Sequence, residues 1–278
     1  MTRSAPPMPK NGSIAAILPA AGSGRRFGSH QNKLFATLRG VPIWLHSVKA
    51  LLCRPEVGRI IIAVSETDRQ TFQDTHTAFL ESETFLESEK LQSTRMEWVL
   101  GGCERTDSVR SGLESIGCDP MIEYVAIHDA ARPLISDQDL SSIFSALIAT
   151  DAAILATPVT GTLKRAVQAP KQATAEVVAS DHVVASDHAV TVDRRELWVA
   201  QTPQVFRLSL LRSAYARYRG YPATDDAQLV ERIGHPVAIV AGSSDNIKIT
   251  HPEDLRIAEA IMARPSPADT LPNTLTNP

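Results

Sequence analysis

The sequence predicts an α/β fold in which a mainly parallel, twisted sheet is flanked by helices. Short apolar runs with strand character alternate along the chain with amphipathic helical patterns, and this order is typical of βαβ units. A stretch rich in glycine and alanine follows the first apolar run directly, as at a strand-to-helix turn. No internal linker rich in Gly, Ser or Pro divides the 278 residues, so one large domain is predicted.

Seven apolar runs predict the strands of this sheet. They span residues 14–18, 59–64, 96–100, 124–127, 152–156, 237–240 and 246–249. In sheets of this kind, ligands bind beyond the carboxyl ends of the strands. The loop at 19–28, Asp129 and the region of Asp245 lie near such ends or edges, which makes them candidates for a binding site.

Caps and apolar spacing predict three helices. Ser136 and Asp139 form a capping box. The helix after this box has one apolar face, which consists of Leu140, Ile143, Phe144 and Leu147. The helix after Asp107 carries an apolar stripe of Val109, Leu113 and Ile116. The last helix begins with Pro252, and the two acidic residues that follow suit a helix N-terminus.

The composition fits a soluble globular protein, with 43% hydrophobic and 21% charged residues. The formal net charge of −3 lacks the basic excess that is typical of nucleic-acid binders. No apolar run approaches the roughly 20 residues of a membrane span, and the N-terminus has no apolar signal segment. The three cysteines have no metal-ligand spacing, so we expect a reduced, cytoplasmic protein with neither a membrane nor a nucleic-acid partner.

Both ends of the chain are predicted to be disordered. Residues 1–13 are polar and rich in proline, and residues 263–278 consist largely of Pro, Ser, Thr and Asn. Such segments have little apolar surface to bury. Residues 14–262 remain as the single predicted domain.

The loop after the first strand has the composition of a phosphate cradle. Residues 19–28 read Pro-Ala-Ala-Gly-Ser-Gly-Arg-Arg-Phe-Gly. Small residues let backbone N–H groups approach a phosphate closely, and Arg25, Arg26 and Lys33 supply the cations that a nucleoside triphosphate requires. Neither the P-loop pattern nor the dinucleotide fingerprint fits, because no Lys-Ser or Lys-Thr follows the glycines and position 27 is Phe. An ordinary glycine-rich turn is the alternative.

Six ordered motifs resemble one enzyme family. The loop with Lys33 is similar to the nucleotide loop of nucleotidyltransferases that activate sugars and polyols, and five later segments narrow the match. These segments read Gly-Gly-Cys-Glu-Arg-Thr-Asp-Ser-Val at 101–109, His-Asp-Ala-Ala-Arg-Pro at 128–133, Thr-Val-Asp-Arg at 191–194 with Leu197 and Trp198, Gln-Thr-Pro-Gln at 201–204, and Asp-Asn-Ile-Lys-Ile-Thr at 245–250. In this order they resemble the 2-C-methyl-D-erythritol 4-phosphate cytidylyltransferase family over roughly residues 14 to 262.

The resemblance implies a Rossmann-like nucleotidyltransferase fold with a protruding β-arm. It also implies an enzyme that transfers the CMP moiety of CTP to 2-C-methyl-D-erythritol 4-phosphate. The products would be 4-diphosphocytidyl-2-C-methyl-D-erythritol and pyrophosphate, in non-mevalonate isoprenoid precursor biosynthesis. By the same resemblance we expect Mg²⁺ as the divalent cation and a homodimer formed through the arm.

The expected chemistry joins two anions, so it needs cations and positioning rather than a Ser-His-Asp triad. No G-x-S-x-G context for such a triad occurs in the sequence. By the resemblance, the catalytic residues are Arg26, Lys33, Arg194 and Lys248. The residues alone do not rank Arg25 against Arg26. The family usually has Pro-Lys-Gln where this chain has Asn32, Lys33 and Leu34, so the lysine is kept while its neighbours differ.

The resemblance also assigns binding roles. The nucleotide-binding residues are Ala20, Ala21, Gly22, Gly24, Gly101, Gly102 and Ser108. The substrate-binding residues are Asp129, Arg132, Thr162, Thr202 and Thr224, and the metal ligands are Asp129 and Asp245.

The residues alone leave simpler interpretations open for part of this set. The glycine pair at 101–102 is also compatible with an ordinary turn, and Arg132 with a structural ion pair. We interpret His128 as a satisfied turn residue rather than a base. Asp225 and Asp226 could serve only as caps of the helix that follows.

Residues 160–193 break the alternation of strands and helices. Alternating valines indicate an extended hairpin, and Val-Val-Ala-Ser-Asp-His occurs twice in succession, at 177–182 and 183–188. In the resembled family this position holds an arm that reaches across a homodimer to the partner's substrate site. For residues 168–188 a disordered insertion at a loop tip is the alternative.

Two other functions compete with this interpretation. Ribitol-5-phosphate cytidylyltransferase shares most of the motifs, although the Ala-Ala-Arg-Pro form at 130–133 and the pair Leu197 and Trp198 favour the methylerythritol enzyme. A non-catalytic nucleotide-binding module is the second alternative. Such a module would need only the cations of the first loop, whereas this chain also keeps Arg194 and Lys248.

Overall fold

Two units make up the chain, which are residues 1–156 with 200–278 and residues 157–199. The computed structural model describes residues 7–22, 32–80, 95–167 and 188–264. The predicted arm insertion at 160–193 falls within the second unit. Gly24, Arg25, Arg26 and nearly all of the segment 168–188 lie outside the described residues.

Strands and helices alternate in the described residues much as the sequence predicts. The strands are β1 (Ile14–Pro19), β2 (Thr37–Leu38), β3 (Val41–Pro42), β4 (Val57–Val64), β5 (Arg95–Leu100), β6 (Tyr124–Ile127), β7 (Ala152–Pro158), β8 (Leu163–Val167), β9 (His188–Val192), β10 (Trp198–Arg207) and β11 (Ala238–Ala241). The helices are α1 (Ile43–Leu52), α2 (Arg69–Leu80), α3 (Arg105–Ile116), α4 (Asp137–Thr150), α5 (Leu208–Ala216), α6 (Asp226–Arg232) and α7 (Pro252–Met262).

The first unit is built on a seven-stranded sheet with the order β11-β7-β10-β6-β1-β4-β5. β1 is parallel to both β4 and β6, and the pairs β4–β5 and β7–β11 are parallel as well. β10 runs antiparallel to β6. This arrangement confirms the predicted α/β class with a mainly parallel sheet.

Both faces of the sheet carry helices and a buried core. Successive side chains of β1 point to opposite faces, so Ile14 and Leu18 belong to one apolar cluster and Ala15 and Ile17 to the other. Helices α1, α2, α4 and α7 contribute to the first cluster, and α3, α5 and α6 contribute to the second. Burial on both faces explains why β1 is a continuous apolar run.

The three predicted helices are confirmed, and their caps are in place. The Ser136 hydroxyl accepts a hydrogen bond from the Asp139 N–H at 3.0 Å, and the predicted apolar face of α4 is buried. Pro252 opens α7, where the Asp254 carboxylate accepts bonds from two backbone N–H groups at 2.7 and 2.8 Å. No helix in the described part of the chain has the length and apolar character needed to cross a membrane.

Six of the seven predicted strands are present, and the seventh is wrong. The segment 246–249 is a loop, because the Asn246 side chain donates to the Thr202 carbonyl at 2.9 Å and the Ile249 N–H donates to the Ala131 carbonyl at 2.9 Å. The sequence does not predict β10, since Pro203 lies inside it and proline cannot donate to a ladder. The pairing of β10 with β6 begins only after this proline, at Gln204.

Residues 7–13 differ from the disordered N-terminus expected over 1–13. The Gly12 N–H donates to the Pro55 carbonyl at 2.9 Å, and the Ser13 hydroxyl donates to the Lys10 carbonyl at 2.7 Å. Met8 packs against the first apolar cluster. These contacts show that residues 7–13 belong to the folded part of the chain, whereas residues 1–6 lie outside the described residues.

The second unit contains an antiparallel hairpin of β8 and β9, which are paired over five residues each. Near its base, the Val159 N–H donates to the Leu197 carbonyl at 3.0 Å, and the Arg194 guanidinium donates to the Thr160 carbonyl. The indicated hairpin is therefore present at its root. The doubled hexapeptide lies almost entirely outside the described residues.

Candidate active site

A cleft of about 570 Å³ opens at the carboxyl ends of β1 and β6. Because these strands are parallel neighbours, the segments that follow them meet at the same edge of the sheet. Eight predicted site residues line this cleft, namely Ala20, Ala21, Gly22, Lys33, Gly102, Ser108, Asp129 and Lys248.

Glycine is required where β5 leads into α3. A Cβ atom on Gly101 would lie 2.4 Å from the Ala21 Cβ and 2.7 Å from the Ser108 Oγ. The N–H of Gly102 donates to the Ser108 Oγ at 3.3 Å. The missing side chain at Gly101 lets the first loop and α3 approach closely, so that Gly102 and Ser108 reach the cleft beside Ala21.

Lys33 is fixed at the cleft wall by a short 3₁₀ helix, Lys33–Phe35. Asn32 caps this helix, since its Oδ1 accepts from the Leu34 N–H at 3.1 Å and its Nδ2 donates to Asp68 at 2.9 Å. Leu34 is buried in the core. The Lys33 ammonium donates to the Ile249 carbonyl at 2.7 Å, which ties it to the loop that also carries Lys248.

Asp129 is the central charge of the site. Its Oδ2 is 2.9 Å from the Lys248 ammonium and 3.4 Å from Nε of Arg132, and its Oδ1 is 3.8 Å from Nε of Arg105. Burial alone would raise the pKa of Asp129, but the attraction of Lys248 and of the two arginines lowers this pKa well below its usual range. The carboxylate therefore stays ionised and gathers three cations around one point.

A second cleft of about 270 Å³ adjoins the first. Arg105, Asp129 and Lys248 line both clefts. Arg132, Thr202 and Thr224 line the smaller one. The predicted substrate-binding residues of the first unit therefore gather around the smaller cleft, and a shared charged wall separates it from the larger one.

A chain of hydrogen bonds fixes the backbone at Asp129. The Asp129 N–H donates to the Thr202 hydroxyl at 2.9 Å, which leaves the hydroxyl proton for Nδ1 of His128 at 3.2 Å. Nε2 of His128 then donates to the Arg132 carbonyl at 3.2 Å. Burial lowers the pKa of His128 to about 4, so the ring is neutral near neutral pH. With both nitrogens engaged, His128 serves as a turn residue rather than a base.

The remaining predicted site residues fall into three groups. Gly24 and Arg26 lie outside the described residues, and Thr162 and Arg194 belong to the second unit. Asp245 lines neither cleft, because its carboxylate accepts hydrogen bonds from Arg264 at 2.9 and 3.0 Å. Within the described ranges, no group of three or more His, Cys, Asp or Glu side chains could hold a metal by itself.

The structure adds Arg105 and Asp226, which the sequence did not single out for the site. Arg105 is the one cation of the motif at 101–109, and its position beside the glycine pair is the signal that could have found it. Asp225 caps α6, with its side chain accepting from the Gln228 N–H at 3.0 Å. Asp226 is not the cap: it is fully buried and lies 2.6 Å from the Arg105 guanidinium.

Known sequences resemble this chain over nearly its whole length. The model of the 2-C-methyl-D-erythritol 4-phosphate cytidylyltransferase family matches residues 14–264. The chain is 47% identical over 259 residues to the protein of that name from Rhodopirellula baltica. This match covers 90% of this chain and 95% of that protein. It is 39% identical over 249 residues to the protein of that name from Bacillus velezensis, which covers 88% and 94%.

Solved structures are similar as well. The 4-diphosphocytidyl-2C-methyl-D-erythritol synthase from Anaerococcus prevotii has a TM-score of 0.68 and 27% identity, and the match covers 90% of this chain and 98% of that one. The 2-C-methyl-D-erythritol 4-phosphate cytidylyltransferase from Thermus thermophilus has a TM-score of 0.62 and 28% identity, with the same coverage of 90% and 98%. The similarity therefore extends far beyond the nucleotide loop.

Proposed function

The chain belongs to the 2-C-methyl-D-erythritol 4-phosphate cytidylyltransferase family, and from this premise we propose a division of labour between its two clefts. The enzyme transfers the CMP moiety of CTP to 2-C-methyl-D-erythritol 4-phosphate in isoprenoid biosynthesis, with release of pyrophosphate. The larger cleft binds CTP, and the smaller one binds the polyol phosphate. The observation that carries this division is the wall of Arg105, Asp129 and Lys248, which faces both clefts.

The larger cleft suits a triphosphate because backbone and cations both face it. Ala20, Ala21 and Gly22 carry no bulky side chain, so phosphate oxygens can approach the loop N–H groups. The N-terminus of α3 adds the positive end of a helix dipole. Lys33 supplies a cation at the wall, and the family resemblance assigns a second one to Arg26.

The reaction needs neutralised charge more than proton transfer. A phosphate oxygen of the polyol phosphate, already ionised near neutral pH, attacks the α-phosphorus of CTP. A new P–O bond forms there while the bond to the bridging oxygen breaks, and pyrophosphate leaves. Lys248 lines both clefts and reduces the repulsion between the two anions. Asp129 holds Lys248 and Arg132 in place before substrate arrives, which is electrostatic preorganisation.

Mg²⁺ is part of the proposal, with Asp129 as its protein ligand. The Asp129 carboxylate is ionised. Its Oδ1 lies 3.8 Å from Arg105, whereas its Oδ2 lies only 2.9 Å from Lys248. Magnesium is commonly bound by one or two carboxylates together with substrate phosphates. Asp245 does not fit, because it pairs with Arg264 and lines neither cleft. When bound, the cation would neutralise phosphate charge and assist the departure of pyrophosphate.

The second unit is proposed to act in a homodimer, where Thr162 and Arg194 complete the substrate site of the partner. Mixing two inactive variants, Lys33→Ala and Arg194→Ala, tests this arrangement. Half of the randomly mixed dimers would pair one variant with the other and contain one intact site, so about a quarter of the wild-type activity returns. If subunit exchange is demonstrated and no activity returns, Arg194 acts within its own subunit.

A cytoplasmic location is the last part of the proposal. Cys53, Cys103 and Cys118 are all free and exposed. Exposed thiols without disulfide partners are typical of a reducing compartment. Cell fractionation with antibody detection tests the location directly.

Pyrophosphate release from CTP tests the assignment, with methylerythritol 4-phosphate or ribitol 5-phosphate as acceptor and with or without a chelator. We expect turnover with the first acceptor only, abolished by the chelator. Turnover with ribitol 5-phosphate would revive that alternative, and silence of a folded protein with both acceptors would favour the binding module.

Two lysine variants with the same change of charge test the division between clefts. Lys33 lines the larger cleft, whereas Lys248 lines both. We expect Lys33→Met to lower kcat strongly and, in the activity that remains, to raise KM for CTP but not KM for the polyol phosphate. Lys248→Met should raise KM for the polyol phosphate more than KM for CTP, and should lower kcat. Equal changes of both KM values in both variants would contradict the division.

A further inference from the structure

Arg105 occupies the junction of the two clefts, yet its strongest partner lies behind the site. The residue lines both clefts and is the first residue of α3. Its guanidinium donates to Asp226 at 2.6 Å, while its Nε stays 3.8 Å from Asp129. Arg105 is therefore held by the carboxylate behind the site, Asp226, in preference to Asp129 inside it.

Asp226 is fully buried, and both of its carboxylate oxygens are engaged. One oxygen accepts from Arg105 and the other accepts from the Tyr215 hydroxyl at 2.6 Å. The backbone N–H of Asp226 donates to Gln204 at 3.1 Å, which fixes the start of α6. Because Asp225 caps this helix, the Asp226 side chain is not needed for capping. Burying a carboxylate costs free energy unless it has partners. Capping does not account for the Asp226 side chain, and its orientation toward Arg105 indicates a different role.

The protonation states agree with this geometry. Burial alone would lower the pKa of Arg105, but Asp226 and Asp129 raise it, so the guanidinium stays charged. Burial, followed by the nearby Asp226, raises the pKa of Tyr215, so its hydroxyl remains a donor. In the line Tyr215–Asp226–Arg105, both outer residues therefore donate to the central carboxylate.

We infer that Asp226 is a positioning residue, which holds the Arg105 guanidinium at the junction of the clefts and away from a closer pair with Asp129. Tyr215 orients Asp226 in turn. Without Asp226, Arg105 would move toward Asp129 and compete with Lys248 for the same carboxylate. The inference rests on the proposed roles of the two clefts, because it takes Arg105 to face the reacting phosphates.

The same unit contains a matched control for a purely structural role. Glu97 accepts from Arg59 at 2.6 Å and from the Ser115 hydroxyl at 2.8 Å, and Arg59 also pairs with Asp119 at 3.2 Å. This cluster has the same pattern of carboxylate, arginine, hydroxyl and second carboxylate, but none of its members lines either cleft. Glu97→Gln therefore removes an equivalent charge with no access to substrate.

The experiment compares Asp226→Asn and Tyr215→Phe with Glu97→Gln and Ser115→Ala, by thermal unfolding and by kcat and KM for both substrates. We expect Asp226→Asn and Glu97→Gln both to lower Tm, whereas kcat falls about 10- to 100-fold only in Asp226→Asn. Tyr215→Phe should lower kcat less. The double variant should match Asp226→Asn alone, because Tyr215 acts through Asp226.

A kcat of Asp226→Asn within about twofold of the wild type would overturn the inference, as would an equal loss of kcat in Glu97→Gln. If Asp226→Asn does not fold, Tyr215→Phe against Ser115→Ala decides by the same criterion. Lys248→Met, assayed alongside, tests the proposed function separately. Wild-type kinetics in Lys248→Met would overturn the roles of the clefts whatever the Asp226 variants show.

Discussion

The buried imidazole of His128 gives the enzyme a calculable loss of stability in mild acid. Burial lowers its pKa from 6.5 to about 4. The unfolded chain therefore takes up a proton as the pH falls below 6.5, whereas the folded chain takes it up only near pH 4. Stability is full above neutral pH, declines as the pH falls through 6.5, and has lost about 3 kcal/mol once the pH passes below the folded value.

Replacing His128 by glutamine isolates this contribution. Gln keeps a donor for the Arg132 carbonyl but cannot titrate, so the variant is less stable throughout yet lacks this part of the pH dependence. Urea unfolding at one protein concentration, at about pH 7.5 and about pH 5, should show the wild type losing about 2 kcal/mol more than the variant. His188→Gln is the control, because His188 is exposed on β9 and its replacement should leave the wild-type difference unchanged.

Parallel pH dependence in the wild type and His128→Gln would refute the reasoning. It would mean that the ring takes up its proton at the same pH in the folded and the unfolded chain, and Nδ1 would then donate to the Thr202 hydroxyl oxygen. The Thr202 oxygen would accept from both Nδ1 and the Asp129 N–H, and the hydroxyl proton would need a different acceptor.

Three further predictions concern the larger cleft. Asp129→Asn leaves three cations without their shared carboxylate, so we expect about 3–5 kcal/mol less stability in urea unfolding and a kcat at least about 100-fold lower; near-wild-type kcat would contradict this role. Gly101→Ala forces a Cβ within 2.4 Å of Ala21, so KM for CTP should rise while KM for the polyol phosphate stays constant. Cys103 is exposed on the cleft wall, so a maleimide should inactivate the enzyme, CTP should protect it, and Cys103→Ser should be resistant; equal inactivation of Cys103→Ser would assign the effect to another thiol.

Most strands and helices of the fold could be predicted from local sequence signals. The strand pattern of β1 and the capping box before α4 depend on residues close together in sequence, and both are confirmed. The two strand predictions that failed depend on contacts between residues far apart in the sequence. Pro203 argues against a strand until it is known that the pairing with β6 starts after it. The segment 246–249 alternates like a strand, but Asn246 directs its side chain to Thr202, which lies 44 positions away in the sequence.

The residues of the site show the same difference between local and long-range signals. Residues that directly follow a strand, such as Ala20 and Asp129, line the cleft as the sequence predicts, because the carboxyl ends of parallel strands share an edge. Arg105 and Asp226 are missed because each acquires its role from the other, across 121 positions of chain. The prediction for Asp245 is affected by a long-range contact as well, because its carboxylate forms a surface ion pair with its distant partner Arg264.

The structure compensates for the two residues beside Lys33 that differ from the usual family sequence. The family usually has a proline before this lysine, and proline holds φ near −65°. Asn32 has φ −59°, which lies within the range that proline adopts. Two side-chain hydrogen bonds, to the Leu34 N–H and to Asp68, hold the asparagine where a ring would hold proline. Leu34 replaces a polar neighbour by one that the core buries. Lys33 therefore reaches the cleft wall by a different local solution, with its ammonium on the Ile249 carbonyl.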